Sequence, residues 1–275
     1  MIKIFKILNL FLILGTWIVP PPSSSSCDRT QTPEQIFSTS SLVILYAHGS
    51  GSSRANSWRA KVYKVLSGQP LKATVVTFDY RGFGDSTPAE ELPSVGGTVN
   101  DTAAIFEWIL ERGVPPKKIL LWGHSLGTSI VVQVLAKLPK EKVPLAAVLE
   151  APFTSFAEEI AEHPINTVYR HLPYFRPFIL DPVVGNPELN FDSLTPLPNV
   201  RCPLLILHAE DDHIVPFHLG VRLYDIARAV QPPEVRNRTT FHRFPGGHGY
   251  RHNKIRLAPE LPKVVGDFIR SVSDF

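Results

Sequence analysis

Cysteine is nearly absent from this chain: there are two in 275 residues, Cys27 in a serine-rich stretch and Cys202 just ahead of a candidate buried strand. Two thiols exclude a disulfide framework and fit free or packed side chains, so they leave the compartment open. Excess charge is scarce too. A formal net charge of +3, with no long Lys/Arg run and no nucleic-acid-binding motif, argues against a nucleic-acid partner. No internal repeat is visible, and low complexity is confined to Ser23-Ser24-Ser25-Ser26. Nor does any apolar run reach the roughly 20 residues that a membrane-spanning helix needs. The nearest approach is residues 7–19, which follow Lys3 and Lys6 and precede Pro20-Pro21-Pro22, the outline of a secretory signal or short membrane anchor. Asn9 interrupts that run and no A-x-A site follows it, so a β-hairpin at a sheet edge is the competing expectation.

What is present suits a full hydrophobic core. With 44% hydrophobic residues, 19% charged residues and a mean hydropathy near zero, the composition is that of one α/β domain. Short β-branched apolar runs predict strands at residues 42–47, 74–78, 119–122, 146–149, 204–207 and 240–244. Segments of helical period between and after them predict helices at about 57–66, 98–112, 125–138, 218–230 and 259–272. Alternation of this kind builds a mostly parallel sheet covered by helices on both faces. Residues 151–197 break the pattern with several prolines and with Phe153, Phe156, Tyr169, Tyr174, Phe175 and Phe178. An insertion of that length between two sheet strands reads either as a lid or acyl-chain pocket, or as aromatics that merely pack it onto the domain.

Gly123-His124-Ser125-Leu126-Gly127 falls where a predicted strand meets a predicted helix. On such a turn the serine hydroxyl stands clear of the sheet, and the flanking glycines permit close approach of strand and helix, which marks Ser125 as a nucleophile. A serine nucleophile needs a base, and the base needs an acid to hold its tautomer. In this architecture the chain order is Ser, then Asp or Glu, then His, each after a strand. The loop His208-Ala209-Glu210-Asp211-Asp212-His213-Ile214-Val215-Pro216 offers three carboxylates; its ending in Val-Pro favours Asp212, with Asp211 as the alternative acid. After the last strand two histidines compete, His248 behind Gly246-Gly247 and His252 in Gly249-Tyr250-Arg251-His252, and spacing alone slightly favours His248. His163, His171, His218 and His242 lack a partner pattern and read as surface or packing residues. The oxyanion hole is expected from the backbone amides of Leu126 and of Ser50, the latter in the Gly/Ser-rich loop after the first parallel strand.

With these residues in place the chain resembles the α/β-hydrolase superfamily and, within it, the α/β-hydrolase domain-containing protein 12 group of monoacylglycerol and lysophosphatidylserine lipases. The resemblance is carried by Val75-Val76-Thr77-Phe78-Asp79-Tyr80-Arg81-Gly82-Phe83-Gly84-Asp85-Ser86, by Trp122-Gly123-His124-Ser125-Leu126-Gly127-Thr128, and by Cys202-Pro203-Leu204-Leu205-Ile206-Leu207-His208-Ala209-Glu210-Asp211-Asp212. Gly249-Tyr250-Arg251-His252 and Pro259-Glu260-Leu261-Pro262 extend it. It implies an α/β-hydrolase fold and selects His252 over His248 as the base. It also implies that Leu14-Gly15-Thr16-Trp17-Ile18-Val19-Pro20 is an early strand of the domain.

The organisation expected on these grounds is an N-terminal segment over residues 1–40, either edge strands or a hydrophobic anchor. An α/β-hydrolase domain follows over 41–275, with a cap insertion at about 151–197. The expected activity is that of a serine hydrolase cleaving esters of single-chain lipids, monoacylglycerol or lysophospholipid, through an acyl-enzyme, with no metal or cofactor. A protein acyl-thioesterase or peptidase on the same fold, or a catalytically inactive binding module, are the alternatives. Arg236, Arg238, Arg243, Arg251, Lys254 and Arg256 form an expected basic cluster for a phosphate head group, with a solvated basic surface as the competing reading. The resemblance implies membrane association, with the endoplasmic reticulum as a compartment, and a soluble chain if residues 1–20 are a strand. Asn100-Asp101-Thr102 and Asn237-Arg238-Thr239 are glycosylation acceptor patterns, meaningful only in a lumenal domain.

Overall fold

The computed structural model describes residues 3–9, 12–22, 31–88 and 93–273. Cys27 and the four serines before it lie outside the described residues. All six predicted strands form, as β3 (Val43–Ala47), β4 (Thr74–Phe78), β5 (Ile119–His124), β6 (Ala146–Glu150), β7 (Leu204–Ala209) and β8 (Thr240–Phe244), and they run parallel. Two more strands precede them, β1 (Lys3–Asn9) and β2 (Leu12–Val19). The eight lie in the order β1-β2-β4-β3-β5-β6-β7-β8.

The hairpin therefore prevails over the leader expectation for residues 7–19. β1 pairs antiparallel with β2, and β2 pairs antiparallel with β4, with Thr16 opposite Phe78. Side chains of β2 enter both cores, Leu14 and Ile18 on one face of the sheet and Val19 with Trp17 on the other, as alternate residues of a strand do. Among the described residues no helix is long and apolar enough to cross a membrane.

β3 to β7 are buried along their whole length, which is why they read as unbroken apolar runs. Successive residues feed opposite cores: Ile44 and Tyr46 pack with Val62, Trp122 and Phe268 on one face, Leu45 with Phe106, Ile130 and Ile206 on the other. β8, at the sheet edge, is more exposed. The covering helices include α1 (Pro33–Ser38), α2 (Ser57–Ser67), α3 (Val95–Glu111) and α4 (Leu126–Lys137). α1 lies where more sheet was expected; Thr32 and Gln35 close a reciprocal capping box around its start. α3 begins three residues ahead of its predicted start, because the Ser94 hydroxyl accepts from Gly97 N at 3.0 Å and caps a first turn that Gly96 and Gly97 disguise.

Between β6 and β7 run α5 (Phe156–Glu162), α6 (Asn166–Tyr169), a π-helical turn (Arg176–Leu180) and α7 (Asp181–Val184). The aromatics of this stretch divide. Phe153, Phe175 and Phe191 are buried, whereas Tyr169, Tyr174 and Phe178 face solvent. The chain continues with α8 (Phe217–Val230), α9 (Pro233–Arg236) and α10 (Leu261–Val272). Cys202 is a buried free thiol, raised by burial to about 12. In both glycosylation tripeptides the hydroxyl residue is buried in internal hydrogen bonds, Thr102 to Thr98 O and Thr239 to Gln231 Oε1.

Strand order locates the site. β3 has β4 on one side and β5 on the other, so the connections leaving β3 and β5 diverge and open a crevice beyond their carboxyl ends. The loop after β3 carries Ser50, and the turn after β5 carries Ser125.

Candidate active site

Ser125 is the N-cap of α4, not its first residue, and holds φ 54° and ψ −120°, a left-handed conformation that side chains rarely adopt. Packing fixes it there. A Cβ at Gly123 would collide with the Gly127 carbonyl, and one at Gly127 with the Ala47 carbonyl, so only glycines let the strand, turn and helix approach this closely. Ser125 N donates to Glu150 O at 2.9 Å, and its own carbonyl accepts from Thr128 N and Thr128 Oγ1 at 2.9 and 2.6 Å. The backbone on both sides of the hydroxyl is thus pinned.

Asp212 and His252 meet directly, with His252 Nδ1 2.8 Å from Asp212 Oδ2. A carboxylate accepts, so Nδ1 carries the proton and Nε2 is left with its lone pair. Asp212 Oδ1 accepts from Ile214 N at 2.9 Å and Val215 N at 3.0 Å. A second histidine, His208, lies on the same carboxylate: its Nε2 is 3.1 Å from Val215 O and 3.4 Å from Asp212 Oδ2. Both neighbours are acceptors, so one N–H is shared between them. Burial pushes the Asp212 carboxyl up, but the hydrogen bonds from His208 and His252 and their charges outweigh it, and the group sits well below the ordinary carboxylate range.

The alternatives are elsewhere. Asp211 Oδ1 accepts from Arg251 N at 2.8 Å, and both residues line a separate open depression with His213. His248 is exposed and stacked on Tyr250, with ring centroids 5.4 Å apart.

Ser125, His252 and Ser50 line one cleft of about 340 Å³, together with Gly49, Trp58, His124 and Asn253 among others. Ser125 and His252 share it without a hydrogen bond between their side chains, as is common before a ligand tightens such a site. Leu126, as the first residue of α4, has an N–H with no intrahelical acceptor. The Ser50 loop is held from below. Buried Arg59 donates to three of its carbonyls, to Ser53 O at 2.7 Å, Gly49 O at 3.1 Å, and Gly51 O. At the loop's start His48 is fully buried, with Nε2 3.3 Å from Asp79 Oδ1, and Asp79 is also bonded by Arg54 through its backbone N and guanidinium.

Sequence reasoning missed His48, His124 and His208, and their only signal was adjacency to the motifs. His124 Nε2 lies 3.0 Å from the carbonyl oxygen of His252, and burial holds its imidazole well below the usual value. Two carboxyls were also missed. Glu150, which accepts from Trp122 Nε1 at 2.9 Å, is pushed by burial up to about 7. Glu159, on α5, is raised by burial to about 7 while His252 pulls it down and Asp212 pushes it up. The expected basic cluster is not one cluster: Arg236 and Arg238 precede β8, whereas Arg251, Lys254 and Arg256 follow it at the other end of the strand. Among the described residues no group of His, Cys, Asp and Glu is disposed to hold a metal ion.

Comparison with known proteins gives a consistent picture. The family model described as "alpha/beta hydrolase fold" matches residues 43–164. Zebrafish (Danio rerio) "Lysophosphatidylserine lipase ABHD12" is 40% identical over 262 residues, covering 94% of this chain and 66% of that protein. Human (Homo sapiens) "Protein ABHD12B" is 38% identical over 231 residues, 82% of this chain and 60% of the relative. This chain spans 66% or less of the length of those two relatives. Among solved structures, an esterase of Pyrococcus furiosus superposes with a TM-score of 0.67 at 18% identity, covering 99% of this chain and 91% of its own, a likeness of fold.

Proposed function

This chain belongs to the α/β-hydrolase superfamily and is ABHD12-like, and from that premise we propose that it is a serine ester hydrolase acting on single-chain lipids, lysophospholipids before monoacylglycerols. The observation that carries the proposal is the 2.8 Å bond from His252 Nδ1 to Asp212, which leaves Nε2 as the basic atom in the cleft that Ser125 shares.

In the proposed mechanism the Ser125 hydroxyl attacks the ester carbonyl while His252 Nε2 takes its proton. Asp212 balances the imidazolium and holds the tautomer. The amides of Leu126 and Ser50 donate to the developing oxyanion, each worth about 3 kcal/mol in the transition state. The tetrahedral intermediate expels the glycerol alkoxide, which receives the proton from His252, and leaves Ser125 acylated. Water then attacks the acyl-enzyme by the same steps, releasing the fatty acid and restoring the hydroxyl. No metal or cofactor enters this route. The stretch between β6 and β7 acts as the cap, with Phe153 and Phe191 as its inner packing. The name borne by the zebrafish relative supports a lysophospholipid with a phosphoserine head group.

The test is labelling by a fluorophosphonate and turnover of a substrate panel by the intact chain. Labelling is expected to disappear in Ser125→Ala and in His252→Ala, with lysophosphatidylserine turned over faster than monoacylglycerol. Persistent labelling of Ser125→Ala overturns the nucleophile assignment, and faster turnover of an S-acylated peptide than of either lipid overturns the substrate class.

A further inference from the structure

Of the eleven large hydrophobic side chains left exposed among the described residues, eight fall within residues 165–184. Val168 is 75% exposed, Phe178 72%, Tyr174 71% and Ile165 66%. Exposure this dense in one stretch, on a chain whose other exposed hydrophobics are scattered singly, marks an interaction surface. It is not a failure of the segment to pack. Phe175 is buried beside exposed Tyr174, so the stretch has an inner face that is satisfied and an outer face that is surplus to folding. α5 packs against α6, the π-helical turn and α7, and thereby ties the outer face to a helix that packs at the edge of the domain's own fold.

Charge identifies the occupant. From residue 163 to 180 there is no Asp or Glu, while Arg170, Arg176, His163 and His171 lie among the apolar side chains. Arg170 pairs with Glu162 at 3.2 Å and Arg176 with Asp181 at 3.3 Å, but both carboxylates stand at the margins, and the Arg176 side chain is 82% exposed. Exposed pairs of this kind hold weakly and release the guanidinium to a better anion. Apolar and tyrosyl side chains interspersed with arginine match the acyl boundary and headgroup layer of a bilayer. A protein partner would account for the apolar face but not for the exclusion of acid.

We propose that the outer face of residues 165–179 docks on the surface of an anionic lipid bilayer, Phe178, Tyr174 and Val168 entering the acyl boundary and Arg170 and Arg176 meeting lipid phosphate. This deepens the lipid-hydrolase reading and takes from it the reason for such a face: a single-chain lipid reaches the cleft from a membrane and not from water. The docking itself needs no turnover.

Flotation of the full chain with phosphatidylcholine vesicles, with and without phosphatidylserine, tests it, using Ser125→Ala so that no lipid is consumed. Binding is expected to the phosphatidylserine vesicles, to fall at least about tenfold in Phe178→Glu, and to weaken in Arg176→Glu. Hydrolysis of a short, water-soluble ester by the Phe178→Glu chain with Ser125 intact is expected to equal that of the unaltered chain, which separates docking from catalysis. No flotation with either vesicle, or equal flotation of Phe178→Glu, overturns the proposal. So does a dimer in solution that Phe178→Glu dissociates, since a second copy would then cover this face. Loss of short-ester hydrolysis in the unaltered chain would count against the enzyme reading and leave the flotation result standing.

Discussion

His208 and Asp212, four residues apart and both shut off from solvent, face one another at 3.4 Å across the turn after β7, on the oxygen that also accepts from His252. The carboxylate is therefore oriented from two sides, and the role proposed for Asp212 makes His208 a positioning residue that acts through it. His208 Nδ1 has no partner, and a Cβ at Gly220 would collide with it, so the ring is set by close packing against α8.

His208→Leu is expected to lower kcat about tenfold with KM nearly unchanged, and His208→Gln, which keeps a donor, to recover part of the loss. Asp212 has a depressed folded pKa, so its contribution to stability is present above its unfolded value near 4 and is lost as pH falls further. Removing His208 weakens that contribution. Thermal melts from pH 7 down to pH 2 should show the variant's deficit shrinking only below about pH 4, where the carboxyl begins to protonate, and a deficit undiminished at pH 2 would mean packing alone.

Arg59 carries a second prediction. Its guanidinium spans the carbonyls of Gly49, Gly51 and Ser53, so it sets the loop whose Ser50 lines the cleft and supplies the proposed oxyanion donor. Arg59→Met is expected to cut kcat/KM for a short ester about 100-fold, the scale of one lost oxyanion donor, and to slow fluorophosphonate labelling in parallel. Arg59→Lys should rescue little, because an ammonium cannot reach three carbonyls with the geometry of a planar fork. Unimpaired labelling in a folded Arg59→Met chain would rule out the positioning role.

The elements legible in the sequence were those whose cause is local. β3 to β7 announced themselves because burial on both faces demands continuous apolar runs, and the Ser125 turn because the collision that bars a side chain at Gly123 is with Gly127 of the same turn. The hairpin of β1 and β2 was ambiguous because a strand period and a short apolar leader share composition. α1 was signalled by Thr32 and Gln35, a spacing that a search for strands passes over. Arg59 and Asp79 were not legible, since the carbonyls and side chains they meet are gathered only by folding, and His208, although four residues from Asp212, was not because it is aimed at that carboxylate only once the turn after β7 forms. The supposed basic cluster failed for the converse reason: a strand places its two flanks at opposite ends of the sheet.

Glu150 predicts a pH-dependent stability. Burial raises its folded pKa to about 7, above the unfolded value, so the fold is favoured while the group is protonated and loses that advantage as pH rises from about 4 to 7. Glu150→Gln keeps an acceptor for Trp122 and carries no charge. Its melting temperature should match the unaltered chain near pH 4 and exceed it at pH 8, with a gain on the order of 3 kcal/mol as the upper bound from the shift. Equal melting at both pH values would show that Glu150 is not held protonated.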